Sequence, residues 1–409
     1  MQPVFITGLG VASALGCDVE TFWQRLVRGD SGASSLTDNG FLSLRSRIGA
    51  LVTDFDQDQY FDRKDARRMS RTSKLAMVAA YHAIEQANLQ VTDRSEAGVI
   101  IGSSIGGYSA VDYYFRDYYL ANQVNPFTIP ISMNVAPGSN VSIHYGFQGP
   151  LMAVDAACAS AAHAIGYAFN LIRTGVLDIA ITGGADSPIT TAVMAAWCSM
   201  RALSERNDSP EQACRPFSAD RDGIVLGEGA GILVLESQRS AQKRQQAALA
   251  EIIGYGATSD SFHLTQPTQK GPARAMRRAL DDGNLALEQI DYINAHGTGT
   301  LWNDKIETAA IKDVFGERAY EIPVVSNKAS LGHSIAASGA LELIGAVITL
   351  RDQIIPPTIN YHIPDPECDL DYVTDGSRRH ETRYIMSNSF AFGGSNGALI
   401  IGTPSSQVM

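Results

Sequence analysis

The sequence predicts an α/β protein made of two packed halves, and three observations carry that reading. Its 409 residues exceed the size at which one hydrophobic core usually stops growing. Hydrophobic residues make up 45% and charged residues 18%, with 37 glycines, the balance of a chain rich in tight strand-to-helix turns. A strand, a turn and a small-residue helix occur around residues 151–173 and again around 324–340. A duplicated βα unit brings its two turns together across a pseudo-twofold axis.

Residues 4–6 read as a first strand ending in Thr7-Gly8-Leu9-Gly10, and 19–28 as a short helix. Arg63, Lys64, Arg67, Arg68, Arg71 and Lys74 form a basic run leading into a helix over 75–87. A solvated helix start and a docking patch for an anionic partner both fit that run. Residues 97–101 are a buried strand ending in Gly102-Ser103-Ser104-Ile105-Gly106-Gly107, where glycines let the backbone crowd a neighbour. An aromatic stretch (108–119) and a break at Asn125-Pro126 precede a helix near 132–145. The strand 151–154 then runs through Cys158 into a helical pattern that ends near residue 173, and 178–186 and 232–235 are further strands. A polar helix over 237–249 closes the first half, so the expected halves are 1–250 and 251–409. In the second half, 290–293, 324–325 and 384–387 read as strands, the last followed by Phe392-Gly393-Gly394 much as 179–182 is followed by Gly183-Gly184.

A formal charge of −11 argues against a nucleic-acid binder and leaves room for a local basic patch. Five cysteines (Cys17, Cys158, Cys198, Cys214, Cys368) are odd in number and never spaced CxxC. That fits a reducing compartment and offers neither a disulfide framework nor a metal site. The N-terminus lacks the pattern of a signal peptide, and the longest apolar helical pattern, 334–350, is interrupted by Glu342 and too short to span a membrane. The expectation is a cytoplasmic protein without membrane contact.

Cys158 falls at a strand-to-helix turn. Unpaired N–H groups at a helix start stabilise a thiolate and lower its pKa, which would make this thiol a nucleophile toward carbonyls. A small buried hydrophobe is the ordinary alternative for any cysteine. Three other turns carry polar residues: Asn294-Ala295-His296-Gly297-Thr298-Gly299-Thr300; Asn327-Lys328 with Gly332-His333-Ser334; and Asn388-Ser389-Phe390-Ala391-Phe392-Gly393-Gly394. One histidine after a strand is usually structural, whereas two beside glycines, with a thiol and a lysine, point to catalysis. His82, His144, His163, His263, His362 and His380 lack that setting and read as structural.

In this order and spacing these motifs resemble the elongating β-ketoacyl-acyl carrier protein synthases, over residues 4–401. The resemblance implies a thiolase-like fold, with two βαβαβαββ halves in five αβαβα layers, and a homodimer or a heterodimer with a related subunit. It implies acyltransferase chemistry in fatty acid or polyene/polyketide elongation. Cys158 would take the acyl chain from acyl carrier protein, and malonyl-acyl carrier protein would follow. His296 and His333 would stabilise the enolate formed as carbon dioxide leaves, and the N–H groups of Cys158 and Phe392 would hold the oxyanion. Lys328 would order the histidines and pair with an acid, for which Glu307 is the candidate. Thr298 and Thr300 match positions that bind the pantetheine arm, Phe390 and Phe392 a gate, and Ile105 the acyl pocket near the subunit interface. No cofactor is implied beyond the phosphopantetheine carried by the partner; Asn294, Glu307, Glu342, Ser387 and Asn388 match a monovalent-cation site of some members. Arg63, Lys64, Arg67, Arg68 and Arg71, with Arg206 and Lys270, would dock the acidic carrier.

Two other readings fit the sequence less well. A coenzyme A-dependent thiolase carries a late Cys-x-Gly turn, absent here, and a chain-length-factor-like partner subunit lacks the nucleophile that Cys158 supplies. Ala391 replaces a usual glycine, alanines flank Cys158 where threonines are common, and Leu301-Trp302-Asn303 replaces a proline-containing stretch. Acyl length and pathway therefore stay open.

Overall fold

Strands that read as unbroken apolar runs must be covered on both faces. The computed structural model, which describes residues 2–53, 55–90, 92, 95 and 97–404, shows how this is done. Its main strands are β1 (Val4–Ala12), β2 (Ala97–Gly102), β3 (Leu151–Val154), β4 (Ile179–Asp186), β5 (Gly229–Ser237), β6 (Ala250–Ser259), β7 (Tyr292–Asn294), β8 (Val324–Val325), β9 (Tyr384–Phe390) and β10 (Ser395–Gly402). They line up as β8-β7-β9-β10-β6-β1-β5-β4-β2-β3.

In the first half β1 pairs antiparallel with β5 and β5 with β4, while β4 with β2 and β2 with β3 are parallel. The second half repeats this pattern: β6 with β10 and β10 with β9 antiparallel, β9 with β7 and β7 with β8 parallel. The halves meet where Phe5 and Ile6 pair with Glu251 and Ala250. Strand order and direction are thus related by a pseudo-twofold axis.

The helices used below are α1 (Val19–Arg28), α2 (Arg71–Gln86), α3 (Tyr108–Ala121), α4 (Ala136–Tyr145), α5 (Ser160–Arg173), α6 (Lys270–Gly283), α7 (Leu301–Phe315) and α8 (Ser338–Asp352). α5 and α8 lie between the halves, and their side chains share one core with the inner faces of both. α2 and α4 cover the outer face of the first half, and α6 and α7 that of the second. The result is the expected five-layer α/β arrangement. α8 is buried from Ser338 to Leu350, so it is apolar all round apart from what must be paired. Gly102 marks how tightly the central layer fits: a Cβ there would come within 2.5 Å of the Ser160 backbone.

Several boundaries differ from expectation for local reasons. The first strand continues to Ala12 because both its faces are buried. The expected 132–145 helix begins only at Ala136, with Pro137 in its first turn, and a separate short helix, Thr128–Ser132, precedes it and ends at the extended Met133. The polar helix ends at Arg244, with Gln245 left-handed. The aromatic stretch forms α3, whose Tyr113, Phe115, Tyr119 and Leu120 are exposed.

Candidate active site

Cys158 lies in a turn of the first half, and His333 lies just before the equivalent turn of the second. A tight turn, Ala157–Ala159, leads into α5, and another, Ile335–Ala337, leads into α8. Because the central helices face each other, these turns meet: His333 Nε2 lies 3.1 Å from Cys158 Sγ. On the other side of the same ring, Nδ1 is 2.9 Å from Ser338 Oγ at the start of α8. His296 follows β7 and packs edge-on to His333 with ring centroids 5.5 Å apart, and Phe390 stands 6.0 Å from His296. Cys158, His296 and His333 are all buried.

The loop after β7 is fixed by two acids. Glu307 accepts the N–H groups of His296 and Gly297, each at 2.8 Å. Asp304 accepts those of Thr298 at 3.1 Å and Phe217 at 2.8 Å. Both Glu307 oxygens are therefore committed to backbone. Lys328 pairs instead with Glu342 of α8, Nζ to Oε1 at 2.5 Å, which corrects the expected Lys328–Glu307 pair. Glu307 stays within reach of the Lys328 charge.

Burial dominates the electrostatics. It pushes the Cys158 thiol up to about 11, against the pull of the Lys328 charge and of the N–H groups of Phe392 and of Cys158 itself. The expected lowering is thus overturned: the helix-start donors do face the sulfur, but taking a charge out of water costs more. His296 and His333 are held well below the usual histidine range, by burial first and then by Lys328, so both rings are neutral near pH 7. Glu307 and Glu342 are each raised by burial to about 7.

A cleft of about 420 Å³ opens onto this cluster. Cys158, His296, His333, Thr298, Thr300, Phe390 and Phe392 line it. The two threonine hydroxyls are 2.9 Å apart, and Phe392 is the partly exposed ring, stacked 5.8 Å from Trp197. Lys328 lies behind the wall, fully buried. Ile105 is not among the lining residues; it packs with the apolar cluster of Leu36, Met194 and Ile335. Leu301 and Trp302, the departure noted above, are exposed on the rim.

The Cys158, His296 and His333 ligand atoms lie within 4.8 Å of one another. These are residue types that bind soft metals, but the buried Lys328 charge beside them opposes a cation. The same convergence suits a polarised carbonyl.

Of the basic residues, Arg63, Lys64, Arg67, Arg68 and Lys270 are exposed. Arg71 is tied to Glu228 at 2.5 Å and to the Val52 carbonyl, and Arg206 to Asp220 and Asp222, so neither is a free docking cation. Trp197, Ser338 and Asp186 also belong to the site and were missed from sequence. Ser338 had a signal, since it stands where Ser160 stands in the first copy.

Residues 1–241 match the family described as "Beta-ketoacyl synthase, N-terminal domain", and residues 249–362 match "Beta-ketoacyl synthase, C-terminal domain". The chain is 41% identical to "Nodulation protein E" of Rhizobium meliloti (strain 1021) over 400 residues, covering 97% of this chain and 98% of that one. It is 40% identical over 403 residues to "3-oxoacyl-[acyl-carrier-protein] synthase 2" of Staphylococcus aureus (strain N315), covering 97% of each. Among solved structures it resembles "The ishigamide ketosynthase/chain length factor", with a TM-score of 0.93, 35% identity, and coverage of 99% of this chain and 100% of that one. Thiolase-like architecture, duplicated turns and matched sequence agree: the chain belongs to the β-ketoacyl synthase family.

Proposed function

We propose that this chain is an acyltransferase that condenses an enzyme-bound acyl group with malonyl-acyl carrier protein to give 3-oxoacyl-acyl carrier protein. One observation carries the reading: a sulfur from the first half and two neutral imidazoles from the second converge on one cleft, backed by a buried lysine.

Cys158 Sγ attacks the thioester carbonyl of the acyl-carrier, a C–S bond forms to the enzyme, and the carrier thiol departs with the proton. The N–H groups of Cys158 and Phe392, already aimed at the sulfur, are placed to hold the tetrahedral oxyanion. Malonyl-carrier then enters along Thr298 and Thr300. As its C–C bond to the carboxylate breaks, the electron pair moves toward the thioester oxygen, which accepts hydrogen bonds from His296 and His333. In the tautomer in which Ser338 Oγ donates to Nδ1 of His333, Nε2 carries the hydrogen that this task needs. The enolate carbon attacks the acyl carbon on Cys158, and the C–S bond breaks to release product. Phe390 and Phe392 separate the acyl and malonyl sides. Ile105, outside the cleft lining, bears on acyl length through the cluster it packs in.

The carrier docks through Arg63, Lys64, Arg67, Arg68 and Lys270, which stay exposed in an otherwise acidic chain. The working unit is a dimer with a second copy or a related subunit. β3 is an edge strand with Leu151 and Met152 exposed, and α3 carries exposed aromatics, which supports this. Domain division at 1–250 and 251–409 follows the junction of β1 with β6. No helix among the described residues is long and apolar enough to cross a membrane, and the five cysteines are free; both support a cytoplasmic location. The protein supplies no organic cofactor of its own. Asn294, Glu307, Glu342, Ser387 and Asn388 are the donor set for a monovalent cation, and buried Asn388 Oδ1 lacks a hydrogen-bond partner among the described residues; the pairing of Glu342 with Lys328 and of Glu307 with backbone N–H groups opposes a cation there.

The test is incubation of the purified protein with a panel of acyl-carrier thioesters and malonyl-carrier, read by mass spectrometry. A 3-oxoacyl product from the native chain and none from Cys158→Ala is the expected result. Failure of the native chain to take up any acyl group would overturn the assignment.

A further inference from the structure

Asp186 ends β4 with its side chain fully buried. Oδ1 accepts from Ser103 Oγ at 3.1 Å and from the N–H groups of Ile105 and Gly106, each at 3.1 Å, while the Ser104 N–H lies 3.3 Å from both oxygens. Oδ2 accepts the Ala336 N–H at 3.1 Å. One carboxylate thus joins two segments distant in sequence. The first is the glycine turn after β2 that carries Ile105. The second is the turn between His333 and Ser338, the two residues that fix the imidazole against Cys158.

The surrounding backbone leaves little freedom. Ile335 is held at φ 46, a conformation costly for a β-branched residue, and a Cβ on Gly184 would come within 2.3 Å of the Ala336 carbonyl. A turn held in such a conformation stays there only while its surroundings fix it. Asp186 supplies that constraint on one side.

We propose that Asp186 is a positioning residue for the condensation: it clamps the His333 turn and the Ile105 turn to one strand end, and so sets the distance between His333 and Cys158. This rests on the proposed function for the role of that pair. An ionised carboxylate suits the task because every neighbouring group is a donor. Burial pushes its pKa up to about 6, so it carries its charge at neutral pH. Asparagine has a single acceptor oxygen, and its NH₂ would face either the Ala336 N–H or the donors of the 103–106 turn. One turn is then released.

The experiment compares full-length native protein, D186N and D186E. It reads condensation kcat and KM, and, without any carrier substrate, the pH dependence of Cys158 alkylation by iodoacetamide. The charged and titratable groups facing Cys158 are His296, His333, Lys328 and Asp186; of these, Asp186 raises the thiol pKa and Lys328 lowers it. D186N is expected to lose about 10²-fold in kcat with KM changed less than about threefold, the size of effect a shift of about 1 Å in a reacting group produces. Its alkylation midpoint should move to lower pH, because the negative charge is gone. A kcat within about threefold of native together with an unmoved midpoint would overturn the proposal. If D186N does not fold, D186E decides: it keeps the charge but displaces the oxygens by one methylene, so kcat should fall while the midpoint holds. Native kcat in D186E would then sink the positioning role. The alkylation profile depends on no carrier chemistry, so it still reads the Asp186 charge beside Cys158 if the condensing assignment fails, whereas loss of kcat in D186E alone reads the clamp.

Discussion

Replacing Lys328 by methionine keeps most of its volume and removes the charge that Glu342 faces. Both side chains are buried and 2.5 Å apart, so the carboxyl is left without its counter-ion inside α8. Leaving an ionised partner buried and unpaired costs about 3–5 kcal/mol, but a carboxyl can escape by taking up a proton. Burial already raises Glu342 from 4.5 to about 7, and Lys328 opposes that rise, so losing Lys328 raises it further. A carboxyl whose pKa is raised by folding binds its proton more tightly in the folded state. It therefore removes stability as pH climbs from 4.5 through about 7, and in Lys328→Met that window extends upward. At about pH 5.5 the acid is protonated in both proteins and the substitution costs little through this route. Near pH 8 native Glu342 has ionised beside its lysine while the variant's has not, so the loss grows by about 1.4 kcal/mol, one pH unit beyond the native pKa. Urea unfolding of native protein, Lys328→Met and Lys328→Met/Glu342→Gln at the two pH values measures this. The double variant should recover much of the loss, because replacing both partners leaves no buried charge. An equal loss at both pH values, or a double variant no more stable than the single one, would refute the reasoning.

Three other outcomes follow from the same geometry. His296→Ala or His333→Ala should cut malonyl-carrier decarboxylation about 10²–10³-fold, the loss of one oxyanion-type donor, while cerulenin still labels Cys158; intact decarboxylation with lost labelling would contradict the roles. Reversing charge at Arg67 and Arg68 should raise KM for the carrier at low salt, leave kcat in place, and lose its effect as salt screens the patch; an unchanged low-salt KM would remove this docking surface. Alkylation of resting Cys158 by iodoacetamide should keep accelerating up to about pH 11, since burial raises the thiol; a plateau near neutrality would mean that the helix-start donors and Lys328 outweigh burial.

The duplicated α/β plan was legible because it rests on local signals: apolar runs, glycine turns and small-residue helices. That Cys158, His296 and His333 share one cleft was legible for the same reason, each lying in or beside a turn whose pattern is written within a few residues. What failed was anything decided by depth or by distant contact. Glu307 looked like the lysine's partner because it shares a motif with His296, yet its oxygens face the N–H groups of that motif. Glu342 carried a usable signal, one acid inside an otherwise apolar helix, and such an acid must find a cation. The direction of the Cys158 pKa was not legible, because a sequence shows the unpaired N–H groups of a helix start but not how much water remains around them. Asp186 gave no signal at all, since its donors come from turns some 80 and 150 residues away.

The two halves use one backbone device for different ends. Ala157 and Ile335 both take positive φ, 48 and 46, at the entrance to the central helices, although neither is glycine. Such positions cost on the order of 1–3 kcal/mol each and persist only where the surroundings demand them. In the first half the turn presents Cys158, and Ser160 Oγ serves its own loop, accepting the Ala156 N–H and donating to the Ala157 carbonyl. In the second, the position matching Cys158 is Ala336, whose side chain has no chemistry, and Ser338, matching Ser160, turns its hydroxyl to His333 instead. A symmetric pair of nucleophile turns would place two thiols face to face. Moving the functional side chain from the turn itself to a residue just before it places an imidazole opposite the sulfur. The positive φ is repeated in both copies, and with the turns facing each other the offset becomes a 3.1 Å contact.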